Sequence, residues 1–150
     1  MEATTTVSHS LVKALRSVSA FSELDDAALL AIAGASSNLH WRAGSAVFEQ
    51  GAPGDGLYIV LSGSVRIFDE SDPDTEVERI EAGNYFGELS LLLDITRRKC
   101  AAAAEDSELL VLPKQSFDDL LASNQELAAR IRERLDERVA AGHAGTQAGD

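Results

Sequence analysis

The chain has few of the features that mark secreted, membrane and disulfide-bonded proteins. It has one cysteine in 150 residues, Cys100, which excludes an internal disulfide and is typical of a reducing cytoplasm. No apolar run approaches the roughly 20 residues that a membrane helix needs. Residues 1–6 are polar, without the positive n-region and apolar h-region of a secretory signal. We therefore expect a cytoplasmic chain that does not span a membrane.

Positive charge and metal-ligand patterns are also scarce. The net charge is −12 and there is no basic block, so we expect no nucleic acid binding by this chain alone. His9, His40 and His143 are scattered without metal-ligand spacing, and no histidine lies near Cys100 in the sequence. The sequence therefore predicts no catalytic residues, no metal site, no cofactor and no enzymatic activity.

The hydrophobic pattern that is present predicts one domain over residues 1–150. Apolar residues recur at helical spacing over 8–34, and period-two segments separated by glycine turns follow over 39–113. Helical spacing returns over 114–140, and a Gly- and Ala-rich tail, expected to be flexible, occupies 141–150. Short strands at such spacing predict a closed sandwich or barrel between two helical segments.

The last predicted helix has one apolar stripe. Leu127, Ile131, Leu135 and Val139 fall on the same face. Nothing obvious in the sequence covers all of this stripe, and an exposed stripe usually marks a partner surface. Such a stripe is more often packed within its own chain than against a partner, and this one is too short for an autonomous coiled coil. We nevertheless expect at least a weak homodimer through the C-terminal helix.

The most informative segment is 83–97. Gly87 permits a sharp turn or a close ligand approach, and a leucine-rich helical turn follows it. Glu88 can accept hydrogen bonds from hydroxyl groups. Beyond the leucines, Arg97 or Arg98 supplies a planar donor fork suited to phosphate oxygens, and the local spacing does not choose between the two. Together these residues predict a pocket for a nucleotide sugar-phosphate.

These motifs resemble a known family. Phe86-Gly87-Glu88-Leu89-Ser90-Leu91, followed by Arg97, is similar to the phosphate-binding cassette of cyclic nucleotide-binding domains, which places the cassette at 83–99. The glycine-containing segments 42–51 and 56–67 also resemble early strands and turns of that family. The resemblance implies a mainly β fold, an antiparallel jelly-roll (double-stranded β-helix) barrel with flanking N-terminal and C-terminal α-helices.

The family also implies roles for the site residues. Glu88 would accept a hydrogen bond from the ribose 2′-hydroxyl, and Arg97 would bind the cyclic phosphate, because Phe117 then falls where the family has an aromatic residue. The implied ligand-binding set is Gly87, Glu88, Leu89, Ser90, Arg97 and Arg98. The implied ligand is cAMP or cGMP. The implied function is a sensor whose C-terminal helices move on binding and act on an effector protein of unknown identity.

Two residues depart from the family pattern. Arg98 and Lys99 stand where the family usually has small residues, which favours an alternative. In that alternative the fold has lost its ligand and serves as a protein interaction or dimerisation module. A cupin-like metal oxygenase would need two or three clustered histidines, and the predicted strands offer only His40.

Overall fold

The computed structural model describes residues 11–140. The start of the first predicted helix, at 8–10, and the expected tail at 141–150 lie outside the described residues. The helices are α1 over 11–16, α2 Asp26–Ala35, α3 Glu88–Leu93, α4 Lys114–Ser123 and α5 Gln125–Ala140, with a 3-10 turn at Ser19–Phe21. The strands are β1 Ser37–Trp41, β2 Ala46–Phe48, β3 Gly56–Ser62, β4 Ser64–Phe68, β5 Glu78–Glu81, β6 Tyr85–Phe86, β7 Cys100–Ala103 and β8 Ser107–Pro113.

The strands form two antiparallel sheets of four strands each. The first sheet has the order β1-β8-β3-β6 and the second the order β2-β7-β4-β5. The expectation of a closed barrel was wrong, because among the described residues no strand pairing joins the edge of one sheet to the edge of the other. The result is a β-sandwich with open edges, and the jelly-roll topology stays a prediction.

Strand β3 shows how the layers are arranged. Its first five residues, 56–60, are buried, and their side chains alternate between the two faces of the sheet. Leu57 and Ile59 belong to a cluster shared with the helices. Tyr58 and Val60 alternate with them and belong to a cluster shared with the second sheet. The first sheet therefore lies between the second sheet and the helical layer.

Helix α5 packs its apolar stripe inside the chain. Leu127 and Ile131 are fully buried and Leu135 is 7% exposed, while Val139 is partly buried. Leu127 and Ile131 share their cluster with Phe21 and with apolar residues of the first sheet. The expected dimer assumed that nothing in the chain covers all of this stripe, whereas the N-terminal helical segment and the first sheet cover Leu127 and Ile131, and Val139 stays partly exposed.

Local details follow the residue chemistry. The side chain of Asp25 caps α2 by accepting a hydrogen bond from the Ala28 N–H at 2.8 Å. Strand β6, Tyr85–Phe86, has only two residues and is therefore too short to show a period in the sequence. None of the helices described between residues 11 and 140 is long and apolar enough to cross a membrane.

Candidate functional site

A sharp turn connects β6 to α3. Gly87 makes this turn with φ +91°, a left-handed conformation that glycine adopts without strain. A Cβ atom at this position would also lie 2.9 Å from Nη1 of Arg97. Asp94 ends α3 with φ 55° and is the one non-glycine residue of the described chain with positive φ. Glycine at position 87 thus lets the backbone approach the arginine directly.

Arg97 is buried and bonded to the turn that surrounds it. Its Nη1 donates to the carbonyl of Gly87 at 2.7 Å and to Ser90 Oγ at 2.8 Å. Its Nη2 donates to the carbonyl of Gly56 at 2.8 Å and to Asp55 Oδ1 at 3.1 Å. The side chain is 1% exposed, whereas that of Asp55 is 66% exposed. The guanidinium therefore ties the start of α3 to the start of β3.

The electrostatic surroundings of Arg97 leave one donor unused. The guanidinium lies 4.1 Å from the ring centre of Phe48, within cation–π range. Burial lowers the pKa of Arg97, partly offset by the Asp55 carboxylate, and arginine stays charged at neutral pH. Its Nε is buried without a hydrogen-bond partner among the described residues. An acceptor that reached Nε would complete the bonding of this side chain.

Glu88 is buried and paired with the C-terminal helix. Its Oε2 accepts from Arg138 Nη1 at 2.5 Å, and Arg138 Nη2 donates to Glu78 Oε1 at 2.7 Å. The side chains of Glu88, Arg138 and Glu78 are only 2%, 11% and 13% exposed. Burial alone would lower the pKa of Arg138, but the two carboxylates raise it above its ordinary value. The predicted hydroxyl acceptor therefore already has a cationic partner.

All six predicted site residues line one cavity of about 50 Å³. The structure adds two cations and three apolar residues to the wall of this cavity: Lys99, Arg138, Phe48, Ile67 and Phe86. Lys99 pairs with Asp69 at 3.4 Å. Arg98 is partly buried, and no carboxylate of the described chain forms a salt bridge with it. The cavity thus combines one buried carboxylate with four cationic side chains.

Sequence reasoning missed three charged residues near this cavity. Asp55 is flanked by Gly54 and Gly56, and a carboxylate in a glycine turn can indicate a functional loop. This pattern does not indicate that Arg97 is the partner of Asp55. Glu78 and Arg138 give no comparable signal, because α5 carries four arginines and the spacing does not single out one of them. Between residues 11 and 140 there is no group of three or more His, Cys, Asp or Glu residues that could hold a metal ion.

Comparison with known proteins gives a family match. The family model described as "Cyclic nucleotide-binding domain" matches residues 38–124, more than half of the chain. The matched region contains the cavity residues of the sandwich and α3, and it ends at the junction of α4 and α5. Helix α5, with Arg138, lies beyond the match.

Individual relatives cover most of this chain but only part of their own length. A cAMP-dependent protein kinase regulatory subunit of Aspergillus fumigatus is 34% identical over 66% of this chain and 24% of its own. A cyclic nucleotide-gated potassium channel of Rhizobium etli is 34% identical over 79% of this chain and 32% of its own. This chain therefore spans about a quarter to a third of these curated relatives.

Solved structures agree with the fold. The regulatory domain of Toxoplasma gondii PKA, crystallised with cAMP, superimposes with a TM-score of 0.77 at 28% identity, over 89% of this chain and 52% of the other. The catabolite activator protein of Thermus thermophilus gives a TM-score of 0.72 at 29% identity, over 82% and 59% of the two chains.

Proposed function

This chain belongs to the cyclic nucleotide-binding domain family, and we propose that it is a regulatory sensor for a cyclic purine nucleotide, cAMP or cGMP. The domain itself carries no catalytic role in this proposal. The ligand binds between the β-sandwich and α5, and binding changes the position of the C-terminal helices. A cytoplasmic location and an effector protein, which this chain does not identify, belong to the same proposal.

The main observation that supports the proposal is that Glu88 and Arg97 line the same cavity. A cyclic nucleotide has an anionic phosphate and a ribose hydroxyl, and the buried guanidinium and carboxylate complement these two groups. The unused Nε donor of Arg97 supports a phosphate contact at this side chain. The amides at the Gly87–Ser90 turn are proposed as further donors, and Leu89 and Arg98 as cavity walls.

The link between ligand and output is the contact of α3 with α5. Arg138 of α5 bonds Glu88, the proposed ribose partner, so a ligand at Glu88 changes what holds the end of α5. A ligand shifts a conformational equilibrium only when it binds the two states differently, and this contact gives such a difference. The two strand orders, which combine early and late strands in both sheets, support the jelly-roll topology as the frame of this site.

Calorimetric titration with cAMP and cGMP tests the proposal. We expect a dissociation constant of roughly micromolar size, about −8 kcal/mol, with cAMP preferred. Arg97→Lys keeps the charge but loses the donor fork, so its affinity should fall by about 2 kcal/mol or more. Arg98→Ala removes the neighbouring charge from the cavity wall and should still change affinity much less. Both variants are compared below their thermal midpoints.

Two outcomes contradict the proposal. If neither nucleotide gives heat or a thermal shift at millimolar concentration in the wild type or in the Arg138→Gln variant, the sensor function is wrong. If Arg98→Ala loses more affinity than Arg97→Lys, the assignment of the phosphate arginine is wrong by one residue.

A protein interaction module without nucleotide is the second candidate function. The small volume of the cavity and its occupation by an internal ion pair favour this candidate, because the fold is complete without a ligand. The apolar stripe no longer argues for dimerisation through α5, since Leu127, Ile131 and Leu135 are buried within the chain. Light scattering with and without nucleotide tests dimerisation, and a strict monomer would remove it.

A further inference from the structure

A second cavity lies between α5, the 3-10 turn and the start of β6. It measures about 280 Å³, close to the volumes of about 300–1,000 Å³ that small-molecule sites usually have. Four of its lining residues are spaced three and four apart on α5 and so share one helix face: Arg130, Glu133, Arg134 and Glu137. Tyr85 of β6 also lines it. This cavity shares no lining residue with the proposed nucleotide cavity.

Two buried donors at this cavity have no partner among the described residues. Tyr85 is 0% exposed, and its hydroxyl group has no hydrogen-bond partner. The Nε of Arg130 is also buried and unpartnered, although Nη2 of the same side chain donates to the carbonyl of Ala20 at 3.2 Å. Buried polar atoms are nearly always hydrogen-bonded in native structures. An acceptor group of a ligand in this cavity would supply the bond that the chain itself does not.

Positive charge lies beside the Tyr85 hydroxyl. The guanidinium of Arg134 lies 4.2 Å from the ring centre of Tyr85, and no carboxylate of the described chain forms a salt bridge with it. Burial raises the pKa of Tyr85, and the Arg134 charge partly offsets this rise. Arg130 has only a long pair with Glu23, at 3.8 Å, and the Glu23 side chain is 78% exposed. The tyrosine and the two arginines together suit a carboxylate group.

Two glutamates complete the charges of this cavity. Glu133 and Glu137 are exposed, and neither forms a salt bridge within the described part of the chain. Two arginines and two glutamates leave no net charge in the wall, so a plain anion meets as many like charges as opposite ones. We propose that this cavity binds a small zwitterion of the free amino acid class. Its carboxylate bonds the Tyr85 hydroxyl and the two arginines, and its ammonium group pairs with the two glutamates.

The Tyr85 hydroxyl can be removed without disturbing the packing of its ring. The ring stacks on Phe21 at 6.1 Å between centres, and Tyr85→Phe keeps this contact. The hydroxyl makes no hydrogen bond within the described chain, so the ligand-free variant should melt at the same temperature as the wild type or higher. A loss of ligand in this variant therefore reports on the cavity and not on the fold.

The test is a thermal-shift screen of the full chain, without nucleotide, against the standard free L-amino acids at millimolar concentration. At least one should raise the thermal midpoint, and calorimetric titration then measures its affinity. Tyr85→Phe and Arg134→Gln should bind it about tenfold more weakly or worse, since each loses a hydrogen bond to a charged group. Glu137→Gln should weaken it about two- to fivefold, as the loss of an exposed ion pair does. The matched controls Arg132→Gln and Asp136→Asn change exposed residues of α5 that do not line the cavity, and they should stay within about twofold of the wild type.

Single-charge probes separate a zwitterion site from a plain ion site. Acetate, inorganic phosphate and methylammonium should each bind more weakly than the amino acid, and Glu137→Gln should not weaken acetate. If acetate or phosphate binds as tightly as the amino acid, the cavity is a plain anion site and the inference is overturned. It is equally overturned if no amino acid shifts the midpoint or if Tyr85→Phe binds like the wild type. None of these outcomes affects the proposed function, because the nucleotide titrations depend on the residues of the other cavity.

Discussion

Arg97 should stabilise the folded chain even when no nucleotide is present. The change to test is Arg97→Ala. The wild-type guanidinium donates to the carbonyls of Gly87 and Gly56, to Ser90 Oγ and to Asp55, and its side chain is 1% exposed. Removal of this group leaves buried acceptors without a donor at the point where α3 meets β3.

The magnitude follows from which contacts are buried. The pair with Asp55 counts little, because Asp55 is 66% exposed and surface ion pairs contribute about 0–1 kcal/mol. The two carbonyls lose their donor at about 1–3 kcal/mol each. Loss of the contact with the Phe48 ring adds about 0.5–2 kcal/mol. Water entering the vacated space offsets part of this sum, so we expect a loss of about 3–5 kcal/mol from the free energy of unfolding.

Urea denaturation of the ligand-free protein measures this loss. Small domains have about 5–15 kcal/mol of stability in total, so Arg97→Ala should shift the midpoint strongly or unfold the chain. The neighbouring substitution Arg98→Ala should stay within about 0.5 kcal/mol. A loss below 1 kcal/mol for Arg97→Ala, or equal losses for the two variants, would refute the view that Arg97 is part of the fold as well as of the site.

Two further predictions concern groups outside the proposed nucleotide contacts. Burial raises the pKa of the Tyr58 and Tyr85 phenols from 10.0 to about 12, and a nearby carboxylate, Asp55 for Tyr58 and Glu88 for Tyr85, contributes to the rise. The folded state therefore keeps protons that the unfolded state loses between these pH values. Stability should therefore fall as the pH rises from about 10 to about 12, and phenolate absorbance of the folded chain at half-ionisation near pH 10 would contradict this. Gly63→Ala should strongly destabilise the folded chain, because φ is +82° and the new Cβ would lie 2.3 Å from Ser107 Oγ. Gly34→Ala in α2 should instead stabilise the folded chain by about 0.5–1 kcal/mol, because its new Cβ meets nothing within 4 Å. Equal thermal shifts for these two glycine variants would show that neither backbone argument holds.

Local patterns predicted the elements and their order. The described strands lie within residues 37–113, close to the period-two region predicted over 39–113, because alternation and glycine turns are properties of short segments. The turn at Gly87 was also predicted, since it depends on the conformational freedom of one glycine and on atoms only a few residues away. The position of strand β6 within this region was not predictable, because two residues cannot show a period.

Contacts between elements that lie far apart in the chain could not be predicted in the same way. The closed barrel was a wrong expectation, since edge-to-edge pairing depends on strands that lie far apart in the chain. The apolar stripe of α5 was predicted to be exposed, because the residues that pack on Leu127 and Ile131 belong to the N-terminal helical segment and the first sheet. One of them, Phe21, lies more than a hundred residues earlier in the chain than Leu127.

The sequence by itself determined the cassette: a glycine where the backbone must turn, a carboxylate directly after it and an arginine ten residues beyond the glycine. Tertiary structure alone decided what these groups contact. Arg97 finds Asp55 across 42 residues, and Glu88 finds Arg138 across 50. Such contacts depend on how β3, β5, α3 and α5 pack together, because an arginine on a helix has no preferred partner until the fold brings a buried carboxylate to it.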